Sequence, residues 1–142
     1  MSPQAVLSPL FVEVILTFAL MLGMAVLRGA DFRSGAVKAS DVALREPNWP
    51  KRTTQMANAF SNQFELPVLF YVLTILAWAT RQAGVVFVFL AWLFVIFRLG
   101  QAAVHVSSNV VKLRGAFFLA SAVVLMAMWA IYIIAVFSSG VA

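Results

Sequence analysis

The chain has 142 residues, of which 63% are hydrophobic and only 11% are charged. Soluble domains carry about 25% charged residues, and a chain this short could not hide so much apolar surface from water, so an ordinary soluble domain is excluded. The net charge is +5, and the basic residues gather at the ends of apolar runs, which favours an anionic membrane surface over nucleic acid as the partner.

Four apolar runs follow one another along the chain, at roughly 7–27, 60–80, 85–105 and 116–137. Each has about 20 residues, the length that crosses roughly 30 Å of hydrocarbon as a helix. Because backbone polar groups in lipid must bond internally, the runs predict helices at about 7–27, 53–80, 85–107 and 114–137. The expected fold is an all-α membrane protein, a four-helix bundle forming one domain over 1–142, with one long loop at about 28–52.

The distribution of charge predicts the orientation of the helices. The side of the membrane opposite the two basic loops offers only Arg81. Cytoplasmic loops carry the excess of Lys and Arg, so the first and third loops are expected in the cytoplasm and both chain ends outside. The basic residues of these two loops are Arg28, Arg33, Lys38, Arg45, Lys51, Arg52, Lys112 and Arg114.

The second helix carries polar residues where lipid would not tolerate them. Asn58, Asn62 and Glu65 stand at positions i, i+4 and i+7, which places them on one helix face. Pro67 follows two residues later and should free or distort a backbone carbonyl, because proline has no N–H. Charged residues within a span usually face a bundle interior or a wet cavity.

Two further charged residues lie within predicted spans. Arg98, in helix three, is expected at a depth similar to that of Glu65, so the two could neutralise each other. The pair could fasten helix two to helix three, bind a polar ligand, or do both. Glu13 lies in helix one, where it could reach toward water or pair between subunits, and the sequence assigns it no function.

A basic cluster closes helix three on the predicted cytoplasmic side. It comprises His105, Asn109, Lys112 and Arg114, and Arg28, Lys51 and Arg52 lie on the same side. Such a mouth would suit an anionic or zwitterionic ligand, although positive-inside topology also explains the charge. With one histidine and no cysteine, a protein-only transition-metal site is not expected.

The stretch from Asn58 to Tyr71, NAFSNQFELPVLFY, resembles a signature of the MAPEG family, membrane-associated proteins in eicosanoid and glutathione metabolism. In that family an Asn and a Glu three residues apart precede a proline, here Asn62, Glu65 and Pro67. The sequence of this stretch, and those of the segments 98–105 and 109–114, resemble a bacterial branch of the family. The resemblance therefore implies a location in the bacterial inner membrane.

The resemblance further implies a homotrimer that binds glutathione between subunits near the cytoplasmic side. An arginine at the start of helix four stabilises the thiolate in characterised members, and Arg114 matches it. The thiolate would attack a lipophilic electrophile dissolved in the bilayer. The expected contacts to glutathione come from Asn62, Glu65, Asn58, Arg28, Arg98, His105 and Asn109.

Three departures from the family pattern keep other functions open. Asn58 stands where glutathione-using members generally place an arginine, the end of helix three has no tyrosine, and Pro67 follows Glu65 by two residues rather than three. The alternative to a glutathione transferase or peroxidase is a non-catalytic trimer that binds lipid or assists another protein. A small transporter or channel ranks last, because no broken helices recur in matching halves.

Overall fold

The computed structural model describes residues 1–138, and over that range the chain is helical without strands. Within these residues five α-helices follow in order: α1 (Pro3–Ser34), α2 (Lys51–Ser61), α3 (Leu66–Ala79), α4 (Val85–Val106) and α5 (Val111–Ser138). In the described part of the chain, four stretches are long and apolar enough to cross a membrane, with α2 and α3 together making one of them. The predicted all-α fold with four membrane helices is confirmed.

Helix α1 is longer than the predicted span at both ends. It begins after Ser2, whose side chain accepts a hydrogen bond from the backbone of Ala5, and it ends at Gly35. Gly35 has φ +74°, a left-handed conformation that favours glycine, and its N–H donates to the carbonyl of Phe32. The predicted loop at 28–52 is therefore too long, because α1 remains helical after its apolar run ends. Arg28 lies on α1 and not in the loop.

The second predicted helix is broken rather than continuous. A short 3₁₀ turn at Asn62–Phe64 separates α2 from α3, and Glu65 leaves helical geometry with ψ −110°. Pro67 sits in the first turn of α3, where its missing N–H is tolerated. The expectation that this proline disturbs the backbone is confirmed, and the disturbance is large enough to end one helix and start another.

The core lies between α3, α4 and α5. Phe70 of α3 stacks on Phe94 of α4 with ring centroids 4.5 Å apart, and Met128 of α5 is fully buried beside them. Helices in lipid gain little from the hydrophobic effect when they associate, so close packing and polar contacts must hold them together. Gly100 provides such packing, because the ring of Phe117 occupies the space where a side chain at Gly100 would lie.

Candidate functional site

A pocket of about 460 Å³ opens where the helix break faces the end of α4 and the start of α5. Its volume lies in the range typical of small-molecule sites. Five of the predicted site residues line it together, and Gln101 and Ser61 add further polar groups. The full lining comprises Asn58, Ser61, Asn62, Glu65, Gln101, His105, Val111, Arg114, Gly115 and Phe118.

Arg114 is held in this pocket by the loop before its own helix. Its Nη1 donates to Oδ1 of Asn109 at 2.6 Å, and the N–H of Asn109 donates to the carbonyl of Val104 at 2.7 Å. Asn109 has φ +51°, a left-handed conformation that asparagine tolerates better than most residues. The turn therefore fixes the guanidinium relative to α4. An arginine has five N–H donors, so most of them remain for a ligand.

Asn62 links Glu65 to His105 across the pocket. One end of its amide lies 3.3 Å from Nδ1 of His105. With the nitrogen turned toward Glu65, the amide donates to both carboxylate oxygens, at 3.2 and 3.1 Å. This orientation satisfies both partners, whereas the reverse would face oxygen toward oxygen. The amide oxygen then faces Nδ1, so Nδ1 carries the hydrogen and Nε2 is left as an acceptor.

Arg98 supports the pocket from behind. It is only 1% exposed, and its Nη2 donates to the backbone carbonyl of Asn62 at 2.8 Å. The same guanidinium donates to Oε1 of Gln101 at 2.5 Å. In an unbroken helix the carbonyl of Asn62 would accept from the N–H of Leu66, whereas here it accepts from the N–H of Glu65 at 3.4 Å and from Arg98. Arg98 thus positions Asn62 through its backbone, and it does not line the pocket.

Glu65 and Arg98 do not form an ion pair, although the charge of Glu65 still attracts the guanidinium of Arg98. The carboxylate that pairs with Arg98 belongs to Glu13 of α1, with Oε1 3.6 Å from Nε. Glu13 is fully buried, so it neither reaches toward water nor is needed between subunits. Similar depth did not identify the partner because the sequence cannot show which faces of the helices meet. Glu65 remains exposed on the pocket side, where its contact is Asn62.

Arg28 lies in a different pocket, which is lined by α1, the loop after it and α2. Its guanidinium carbon is 4.9 Å from the centre of the Trp49 ring, a cation–π arrangement. The pocket that it lines has a volume of about 500 Å³ and shares Asn58 and Ser61 with the first one. Within one protomer, the structure therefore does not bring Arg28 together with Arg114.

Sequence reasoning missed Gln101 as part of the site. The signal was present, because Arg98, Gln101 and His105 stand at positions i, i+3 and i+7 of one helix and so share a face. All three are buried in the structure. Treating these three residues as one polar face of α4 would have predicted that Arg98 supports the pocket and that Gln101 and His105 line it.

The fold and the pocket define a class: a multi-pass helical membrane protein with an open polar pocket beside a helix break. The sequence model of the MAPEG family matches residues 6–134. The chain therefore belongs to the MAPEG family, as the stretch around Asn62, Glu65 and Pro67 suggested. The searches of curated proteins and of solved structures found no match to this chain.

Proposed function

We propose that the pocket binds glutathione and that Arg114 stabilises its thiolate for attack on a lipophilic electrophile. The observation that carries the proposal is the meeting of Arg114, Asn62 and Glu65 in one pocket between polar helix ends and apolar spans. Glutathione has a thiol, carboxylates and an ammonium group. Arg114 can pair with an anion, and the exposed Glu65 carboxylate can accept from a cation, so the donor set fits a zwitterionic peptide.

The chemistry rests on the fixed guanidinium. A cation beside a thiol favours the thiolate, which is the nucleophilic form. Arg114 is half-buried and tied to Asn109, so little reorganisation is needed when charge develops. Phe118 and Val111 line the same pocket and supply an apolar wall on which a lipophilic second substrate could rest.

The proposal is tested by titrating glutathione into the purified protein in detergent, with calorimetry and ultraviolet thiolate absorbance read together. Saturable binding with a thiolate signal is expected. Arg114→Ala should remove the thiolate signal and lower conjugation of a chlorinated nitroarene by about 100-fold. Lys112→Ala is the matched control, because Lys112 is an exposed cation two residues away that does not line the pocket. Equal losses in both variants would contradict a specific role for Arg114.

We infer a homotrimer from the same face of the protomer. Asn58, Ser61 and Glu65 are all exposed although they lie within a candidate membrane span. Lipid would not solvate these side chains, so a neighbouring copy that covers this face would remove the free-energy cost of exposing them to lipid. Cross-linking in mild detergent should give a trimer, and a ladder that stops at the dimer would contradict this assembly.

We also propose the bacterial inner membrane as the location, with the loops at 35–50 and 107–110 in the cytoplasm. The excess of basic residues at these ends of the helices supports this orientation. Because the chain has no cysteine, single variants such as Ser40→Cys and Gln82→Cys report topology directly. A maleimide that does not cross the membrane should label position 82 in intact spheroplasts and leave position 40 unlabelled. Labelling at position 40 and not at position 82 would indicate the opposite topology.

A non-catalytic trimer that binds lipid is the second candidate. It is favoured by one observation: among the described lining residues, Arg114 is the one permanent cation, whereas glutathione carries two carboxylates besides its thiol. Absence of glutathione binding from a folded trimer, together with a phospholipid that co-purifies in stoichiometric amount, would favour this candidate over the transferase.

A further inference from the structure

We propose that the Nε2 atom of His105 is the base that accepts the thiol proton of glutathione when the thiolate forms beside Arg114. This inference rests on the proposed function. It assigns a catalytic role to a side chain that the sequence offered only as a ligand contact.

The geometry around the ring sets its tautomer. The Asn62 amide donates to the Glu65 carboxylate and so presents its oxygen to Nδ1 of His105, which lies 3.3 Å away. Nδ1 therefore keeps the hydrogen, and the lone pair is on Nε2. No other described side chain or backbone group hydrogen-bonds the ring. Glu65, Asn62 and His105 thus form a hydrogen-bonded series that orients the imidazole. In many nucleophilic sites the base is likewise oriented by a further side chain.

The position of the ring matches this role. His105 is 4% exposed and lines the same pocket as Arg114, so the base and the thiolate-stabilising cation meet one ligand. An imidazole is the side chain best suited to take a proton near neutral pH. Arg114 carries a permanent charge and cannot accept a proton, so the thiol proton must go to another group or to water.

The step is balanced within the site. The S–H bond of glutathione breaks, its electron pair stays on sulfur as the thiolate beside Arg114, and the proton moves to Nε2. Burial of the ring opposes the charge of the imidazolium most strongly, and Arg114 on α5 and Arg98 on its own helix oppose it as well. The imidazolium also faces the thiolate itself, and Glu65 through Asn62, which favour it. Thiolate formation would therefore leave the net charge of the site unchanged and release no proton to the buffer.

The chain contains a single histidine, so the NMR signals of its ring need no residue assignment. Tag-free protein is labelled with ¹⁵N-histidine, and the ring is observed by NMR before and after glutathione is added at pH 7.5. The expected result is a neutral ring with hydrogen on Nδ1 that becomes an imidazolium. Calorimetry in two buffers of different ionisation enthalpy should show far less than one proton released for each thiolate formed.

His105→Asn keeps an amide near the Nδ1 position and removes Nε2, so it should slow thiolate formation in stopped-flow absorbance by about 100-fold. It should also release one proton to the buffer for each thiolate formed. His105→Gln, with an amide reaching further into the pocket, is measured alongside in case the first variant fails to fold.

The outcomes separate the two ideas. If wild-type protein forms no thiolate, the proposed function fails, and the role of His105 fails with it. If wild-type protein forms a thiolate that Arg114→Ala abolishes, but the ring stays neutral and both His105 variants form the thiolate at the wild-type rate, only the role of His105 is overturned.

Discussion

The buried contact between Glu13 and Arg98 should be the most sensitive electrostatic element of the fold. Glu13→Leu would leave a guanidinium that is 1% exposed without its carboxylate, whose Oε1 lies 3.6 Å from Nε. Removing one partner of a buried pair typically costs about 3–5 kcal/mol. Arg98 keeps its bonds to the carbonyl of Asn62 and to Gln101, which solvate part of the charge. We therefore expect a loss near the lower limit, about 3 kcal/mol, or roughly 100-fold in the unfolding equilibrium.

The assay is reversible unfolding in mixed detergent micelles, followed by circular dichroism. Arg98→Met and the double variant with Glu13→Leu complete a mutant cycle, and the double variant should be more stable than the sum of the two single losses predicts by at least about 1 kcal/mol. Arg52→Leu, at an exposed cation, should stay within about 0.5 kcal/mol of wild type. The reasoning is refuted if Glu13→Leu behaves like Arg52→Leu, or if the cycle is additive.

Two further predictions concern packing and the turn before α5. Gly100→Ala places a Cβ 2.8 Å from the ring of Phe117, so it should destabilise the protein to unfolding in micelles by about 1–3 kcal/mol. Adding Phe117→Leu should restore most of that loss. Gly29→Ala is the control, because a Cβ at Gly29 would meet no atom closer than 3.7 Å. Asn109→Gly keeps the left-handed backbone and removes the acceptor of Arg114, so thiolate absorbance should fall by about tenfold while the oligomer is unchanged in size-exclusion chromatography.

The helices were predictable because lipid imposes a simple rule on the sequence. A span needs about 20 apolar residues, and its backbone must bond internally, so the apolar runs define the four membrane stretches. The same rule says nothing about where a helix ends once it has left the hydrocarbon. The continuation of α1 to Ser34 therefore escaped prediction, since that end depends on the left-handed Gly35 and not on hydropathy.

The candidate site was predictable to the extent that its residues lie on one helix or near one loop. Asn58, Asn62 and Glu65 follow helical spacing up to the break, and all three line the pocket. Arg114 lies there as well, because α5 begins only three residues before it. What one sequence could not show is the rotation of one helix against another. That rotation pairs Arg98 with Glu13 and places Arg28 in a pocket separate from that of Arg114.

The break in the second span explains why this rotation matters for chemistry. A helix interrupted within a membrane leaves a carbonyl without its usual helical donor, and here the buried Arg98 donates to the carbonyl of Asn62 at 2.8 Å, beside a longer bond from the N–H of Glu65. A guanidinium at that depth needs a counter-ion, and Glu13 of α1 supplies it from the side away from the pocket. Because Glu13 forms the ion pair with Arg98, the carboxylate of Glu65 is available to accept from Asn62 and orient its amide. The polar residues thus divide into a buried pair that holds the break open and an accessible set that can meet a ligand.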